Sequence, residues 1–512
     1  MLEAFQQVVL DPRIWGVIFA AACYGVFMGA VPGLTATMAV ALLVPVTYFM
    51  SPVAAIAAVV TLVACAIFAG DIPAALLRIP GTPASAALTE DAYALTRRGQ
   101  GERVLGVCLL FSTVGGLMGA LILILFAESL AGIATQFSVV EYFWLYLLGL
   151  SCAVIVSSES ALRGTLGLLI GLLLSTVGLS AVHTQARFTF GQPELFQGIN
   201  FIPAMIGLFG FSEILRNLAG HDLQQAASDV ANGNATRRSR VGWGGFLQHS
   251  VRSVLGGAFP LLWRRKAPGL RSGAVGSVIG MLPGAGADIG SWVSLAVSKR
   301  FSKTPGEYGK GSLEGVADAA NAKSAALAGA WVPALVFGIP GDSVTAIVIG
   351  VLLMKNVTPG PEIFETQATL VYSIYLIFIL ASLILLPVGL LAIKAGGYLI
   401  RVPRPVLLPV ILLFCVIGAY AINGSYFDVG LMGAMGLMGF LLERRGVPLG
   451  PVVLGIILGG PLEERFIQTL TGADGSFLAF FTRPIAAVLG VLTLLLWFAP
   501  AFLSWRKRHR VQ

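Results

Sequence analysis

Charged side chains, histidines and paired cysteines are all scarce in this sequence. Only 11% of the 512 residues are Asp, Glu, Lys or Arg, whereas soluble domains carry about 25%, so a soluble globular class is excluded. The four histidines are scattered without an HExxH pair, and the five cysteines lie singly with no CxxC spacing. Neither a zinc site nor a disulfide framework is therefore indicated.

Apolar sequence is what the chain has in abundance. Hydrophobic residues make up 56% of it, and the mean hydropathy is +0.86. Apolar stretches of about 20 residues, the length that crosses a bilayer, recur from Trp15 to Trp497. The basic residues lie in short loops between these stretches, as the positive-inside rule predicts, so the net charge of +8 does not indicate nucleic-acid binding. We therefore predict an all-α polytopic membrane protein with roughly 10–14 membrane segments.

Two Pro-Gly motifs occur in the same order in each half of the chain. The first half contains GAVPGLTAT (29–37) and IPGTPAS (79–85), and the second contains GMLPGAGAD (280–288) and IPGDSVT (339–345). Pro283 follows Pro32 by 251 residues, and Pro340 follows Pro80 by 260 residues. Duplicated interruptions of hydrophobic segments are typical of transporters built from two repeats, and they indicate where the binding site lies.

Each interruption predicts a helix that begins inside the membrane, with unpaired N–H groups and the positive end of its dipole facing a cavity. Thr82 is a predicted N-cap with Pro83 at the first helical position, and Asp342 or Ser343 is predicted to cap in the same way. Such a cavity suits a small anion, and a carboxylate is the natural candidate. Alternatively, each Pro-Gly pair only kinks a packed helix. The predicted substrate-binding residues are Pro32, Gly33, Thr35, Thr37, Pro80, Gly81, Thr82, Ser85, Pro283, Gly284, Gly286, Asp288, Pro340, Gly341, Asp342 and Ser343.

The basic residues also predict which loops are cytoplasmic. The polar linker at 217–272 and the tail at 506–510 are rich in Arg and Lys, which places both inside. Counting spans from them puts the loop after Pro80-Gly81 inside and the loop after Pro340-Gly341 outside, so the repeats are predicted to have inverted topology. Residues 273–297 are then a re-entrant hairpin. We predict a first repeat over 1–216, a linker over 217–272 that contains an amphipathic helix from Phe246 to Trp263, and a second repeat with C-terminal spans and a basic tail over 273–512.

At these motifs the sequence resembles the large membrane subunit of the tripartite tricarboxylate transporters. Further matching segments are RFTFG (187–191), IGLFGFSEIL (206–215), KGSLEGVA (310–317) and LGGPLEERF (458–466). The resemblance implies a multi-pass permease of the bacterial inner membrane, with a small four-helix membrane subunit and a periplasmic substrate-binding protein as partners. It also implies uptake driven by an ion gradient, with Na⁺ or H⁺ as the coupling ion and no other cofactor; no GxxxxGK[ST] loop for ATP occurs.

Three carboxylates depart from that family, whose members usually carry small polar residues at these positions. They are Asp71, Asp288 and Asp342, and acidic groups within a membrane mark function by default. They and Thr345 are the candidate ion-coupling residues. Several alternatives stay open: pairing with Lys323 or Arg78, binding of a cation or proton, a substrate less anionic than citrate, or simple capping and contact with water.

Two other function classes compete with ion-driven uptake. A passive anion channel needs no inverted broken repeats, although it could descend from them. An intramembrane lipid-modifying enzyme would need a metal cluster, a DDxxD motif or a Ser/His arrangement, and the sequence shows none of these. We therefore expect a transport protein rather than an enzyme. The substrate itself stays open, because backbone N–H groups bind any carboxylate.

Overall fold

The computed structural model describes residues 1–157, 160–180, 185–219, 254–399 and 404–508. Most of these residues are helical. In the first half the α-helices are α1 (Leu2–Phe5), α2 (Pro12–Ala30), α3 (Ala36–Tyr48), α4 (Pro52–Ala69), α5 (Asp71–Leu77), α6 (Ala86–Leu95), α7 (Gly101–Ala134), α8 (Val139–Ser157), α9 (Ala161–Ser175), α10 (Phe201–Met205) and α11 (Ser212–Leu218).

The second half is helical in the same way. Its helices are α12 (Ala258–Arg264), α13 (Lys266–Gly280), α14 (Gly286–Phe301), α15 (Leu313–Gly329), α16 (Trp331–Phe337), α17 (Ser343–Met354), α18 (Ile363–Thr366), α19 (Ala368–Leu399), α20 (Arg404–Asn423), α21 (Tyr426–Arg444), α22 (Leu449–Thr471) and α23 (Pro484–Arg508). Two short strands, β1 (Gly178–Leu179) and β2 (Ala186–Arg187), pair antiparallel. Of the predicted linker helix, residues 246–253 lie outside the described residues, and α12 follows them.

Local signals set the starts of the helices around the membrane core. Asp11 caps α2 by accepting a hydrogen bond from the Arg13 N–H at 2.9 Å, and Ser51 caps α4 by accepting one from the Ala54 N–H at 3.3 Å. Proline occupies the first position of both helices, where its missing N–H costs nothing. Within the part of the chain that the structure describes, six helical segments are long and apolar enough to cross a membrane, and six shorter apolar helices accompany them. The predicted all-α polytopic membrane class is confirmed.

The centre of the molecule is formed by α4 and α15, which are buried along almost their whole length. Two glycines of α2 approach the backbone of α4, and two glycines of α13 approach the backbone of α15. The contacts pair Gly25 with Leu62, Gly29 with Ala66, Gly276 with Ala322 and Gly280 with Ala326. The glycines are 251 residues apart and their partners 260 residues apart. The two offsets read from the motifs therefore recur in the packing, where small residues bring helix backbones together.

The Pro-Gly pairs of the four repeated motifs, which begin at Pro32, Pro80, Pro283 and Pro340, all lie between helices and not within them. After α5, Arg78 adopts a left-handed conformation (φ 61°), and after α16, Gly338 does the same (φ 68°). In both repeats the next N–H folds back onto a proline carbonyl, from Ile79 to Pro73 at 3.4 Å and from Ile339 to Pro333 at 3.2 Å. A proline three residues into a helix leaves a carbonyl without its donor, which explains why the chain breaks just before α5 and α16.

Candidate functional site

All four interruptions border one cavity of about 400 Å³. The first contributes Thr35 and Thr37, the second Thr82, Pro83 and Ala84, the third the residues from Gly284 to Ile289, and the fourth Asp342, Ser343 and Val344. The first and fourth belong to helices α3 and α17, and the third to α14, so helix starts from both repeats face the same space. The reading in which each Pro-Gly pair merely kinks a continuous helix is thereby ruled out by the geometry.

Side-chain caps order two of these helix starts. Thr35 accepts a hydrogen bond from the Met38 N–H at 3.1 Å. Asp342 accepts one from the Thr345 N–H at 2.8 Å, while the Thr345 hydroxyl lies 2.9 Å from the Asp342 N–H that donates to it. This capping box confirms the predicted N-cap at Asp342. Thr82 is at the predicted N-cap position, but its hydroxyl bonds to the Ser85 hydroxyl at 3.0 Å and not to a backbone N–H.

Several predicted residues form the frame of the cavity and not its wall. Gly341 is one of them: its carbonyl accepts a hydrogen bond at 2.8 Å from the N–H of Gly284 on the wall, which connects the fourth interruption to the third. A Cβ atom on Gly81 would lie 2.3 Å from the Gly29 carbonyl oxygen, so only glycine fits there. The predicted residues that do not line the cavity are Pro32, Gly33, Pro80, Gly81, Ser85, Pro283, Pro340, Gly341, Asp71 and Thr345.

The cavity wall carries more negative than positive charge. Asp288 and Asp342 both line it. Two further carboxylates, Glu213 and Glu443, and one guanidinium, Arg216, complete its charged groups within the described part of the chain. Four carboxylates and one guanidinium leave the wall with an excess of negative charge when all are ionised.

Glu213, Arg216 and Glu443 form an ion-paired group that the sequence motifs do not predict. Arg216 lies 2.5 Å from Glu213 and 3.7 Å from Glu443. The segment Ile206–Phe211 is a π-helix that contributes Leu208 and Phe209 to the same wall, and Ser212 at the start of α11 lies next to them there. A single acid within the apolar segment IGLFGFSEIL was the available signal.

Asp71 is paired with Lys323, which was one of the alternatives left open, and not with Arg78. Both side chains are fully buried, so the reading in which Asp71 faces water is wrong. Arg78 instead pairs with Glu90 at 2.9 Å on the surface. The Asp71–Lys323 pair joins the first repeat to the second at a position just behind the cavity wall.

Sequence comparison relates this chain to a protein family and to two proteins of Agrobacterium vitis. The profile of the tripartite tricarboxylate transporter TctA family matches residues 16–454. An uncharacterised 52.8 kDa protein of the TAR-I ttuC' 3' region of Agrobacterium vitis is 34% identical over 497 residues, which cover 96% of this chain and 95% of that protein. A second uncharacterised protein, of the TAR-II ttuC' 3' region of the same organism, is 35% identical over 240 residues, 46% of this chain and 99% of that protein. No solved structure matches. The chain belongs to the tripartite tricarboxylate transporter TctA family.

Proposed function

We propose that this protein is the large membrane subunit of a tripartite transporter that takes up a small carboxylate substrate across the bacterial inner membrane, driven by an ion gradient. The observation that carries the proposal is the convergence of four helix interruptions on one cavity. Helix N-termini and their unpaired N–H groups stabilise anions without a dedicated basic residue. A volume of about 400 Å³ is within the usual range for small-molecule sites.

The charge of the wall supports cation symport over a passive anion channel. Anion-conducting pores are lined by Arg or Lys, whereas this cavity presents Asp288, Asp342, Glu213 and Glu443 against Arg216 alone among the described residues. A carboxylate substrate therefore needs a compensating positive charge in order to enter. Na⁺ or H⁺ at Asp288 and Asp342 supplies that charge. Thr345, which does not line the cavity, holds Asp342 in place through the capping box.

The partners follow from the family and belong to the proposal. A small four-helix membrane subunit completes the membrane complex, and a periplasmic binding protein delivers the substrate. Backbone N–H groups accept any carboxylate, so the choice of substrate rests on the binding protein as well as on this cavity. The ligand that co-purifies with the cognate binding protein, identified by mass spectrometry, is the substrate to use in transport assays.

Uptake into proteoliposomes tests the proposal. The protein is reconstituted with its small subunit, and the binding protein is supplied outside with its radiolabelled ligand. We expect accumulation above the external concentration when an inward Na⁺ or proton gradient is imposed, and no accumulation without it. Equilibration to the external concentration with or without a gradient would instead identify a passive channel. Chemical conversion of the ligand would identify an enzyme.

A further inference from the structure

Lys323 lies in a cage of oxygen atoms. Its ammonium donates to a carboxylate oxygen of Asp71, to the carbonyl oxygen of Ile67 at 2.9 Å and to the hydroxyl of Ser85 at 3.4 Å. The side chains of Lys323 and Asp71 have no exposed surface. The second carboxylate oxygen of Asp71 is buried without a hydrogen-bond partner.

The oxygen atoms of the cage come from the end of α4, the start of α5 and the segment after Pro80-Gly81. Ile67 belongs to the last turn of α4, where carbonyl groups and the negative end of the helix dipole favour a cation. Asp71 opens α5, and Ser85 follows the second Pro-Gly pair and bonds to Thr82 on the cavity wall. A carboxylate, a carbonyl and a hydroxyl are the oxygen donors with which proteins bind hard metal cations.

The corresponding break in the second repeat, between α15 and α16, forms without such an ion pair, so the pair is not required for a helix break of this kind. Trp331 occupies the position 260 residues after Asp71, and Val63 occupies the position 260 residues before Lys323. The break between α15 and α16 nevertheless has the same backbone hydrogen bond as the break between α4 and α5, from Ala330 N–H to Ala326 at 2.9 Å and from Gly70 N–H to Ala66 at 3.1 Å. The buried pair is thus an addition to one repeat, and burying two charges costs stability unless each is well compensated.

We propose that these oxygens form a monovalent-cation site in which the Lys323 ammonium is the permanent, covalently tethered occupant. The ammonium reaches the cage from α15, so the cation of the first repeat is supplied by the second repeat. Ile67 borders the cavity, so the cage lies one residue behind its wall. Because the ammonium is covalently attached, the cation at this position does not exchange during transport. The cations that do exchange then bind to the carboxylates that line the cavity.

The experiment replaces the tethered cation by a free one. Thermal unfolding of the purified protein in detergent is measured in NaCl, LiCl, KCl and choline chloride at equal ionic strength. The proteins are the wild type, Lys323→Ala, and Lys323→Ala combined with Asp71→Asn. Removal of the ammonium leaves Asp71 buried and uncompensated, and it opens space for an inorganic cation.

We expect Lys323→Ala to melt well below the wild type in choline chloride and to recover by roughly 3 °C or more in NaCl or LiCl, since a ligand that binds only the folded state raises its stability. The wild type provides the baseline response to these salts, and the double variant should show no response beyond it. The proposal is overturned if Lys323→Ala responds to NaCl no more than the wild type, or if the double variant responds equally. Failure of Lys323→Ala to yield folded protein in concentrated NaCl would also overturn it, because Na⁺ should then neutralise Asp71.

Discussion

Substitution of Gly81 by alanine perturbs the cavity without touching a residue of its wall. A Cβ atom there would lie 2.3 Å from the Gly29 carbonyl oxygen and 2.7 Å from the Gly70 Cα. Both neighbours are backbone atoms, which cannot rotate away as a side chain would. The loop must therefore move, and it carries Thr82 and Pro83 of the cavity wall.

The size of the effect follows from the cost of the intrusion. Forcing an extra methyl group into a packed interior costs about 1–3 kcal/mol, which corresponds to roughly 5- to 150-fold in an equilibrium constant. We expect Gly81→Ala to lower the initial uptake rate at subsaturating substrate within this range. Gly341→Ala should do the same from the second repeat, because its Cβ would lie 2.7 Å from the Ala330 Cα and 2.8 Å from the Gly280 carbonyl oxygen.

Gly132→Ala is the matched control. Gly132 lies in α7 with no atom within 4 Å of its added Cβ, and alanine is the better helix former by about 1 kcal/mol. Its uptake should equal that of the wild type. All variants are compared in proteoliposomes at equal amounts of monodisperse protein. Wild-type uptake by Gly81→Ala, or an equal loss in Gly132→Ala, would show that the glycine contacts do not hold the cavity in shape.

Three further predictions address charge and orientation. Asp288→Ser and Asp342→Ser should change the dependence of uptake on Na⁺ or on pH, and an ion dependence equal to that of the wild type would remove both residues from coupling. Arg216→Gln should raise the substrate concentration at half-maximal uptake severalfold, because the wall loses its one described cation; Arg216→Lys should retain most of the affinity, and equal kinetics in all three proteins would contradict the role. In a cysteine-free background, Arg97→Cys should react with a membrane-impermeant thiol reagent only from the cytoplasmic side and Glu362→Cys only from the periplasmic side. Labelling of both from one side would contradict the inverted topology.

Most of the architecture that could be predicted from the sequence followed from the spacing of the Pro-Gly motifs. Offsets of 251 and 260 residues recur in the glycine contacts of α2 with α4 and of α13 with α15, because close helix packing and a helix break both depend on residue types visible in the sequence. The capping role of Asp342 was predictable for the same reason, since a cap depends on neighbours a few residues away. The inverted orientation and the domain boundaries remain predictions.

Contacts between distant segments were harder to foresee. Glu443 immediately precedes Arg444 and Arg445, so it resembles an ordinary loop charge until α21 is packed beside α11. Arg216 likewise resembles an ordinary charge at the membrane surface, because it lies at the end of a predicted membrane span. The π-helix at Ile206–Phe211 has no sequence signature that distinguishes it from a regular helix, and it contributes to which residues of this segment face the cavity. The sequence allowed several partners for Asp71. Its pairing with Lys323 depends on how the two repeats pack against each other.

The proposed function requires substrate to bind in this cavity, which cryo-electron microscopy of the reconstituted complex with the ligand of its binding protein can show. We expect ligand density between the four interruptions, with a carboxylate group at the starts of the helices that carry Thr37, Gly286 and Ser343. Density at another place on the protein, or an empty cavity at saturating ligand, would contradict it.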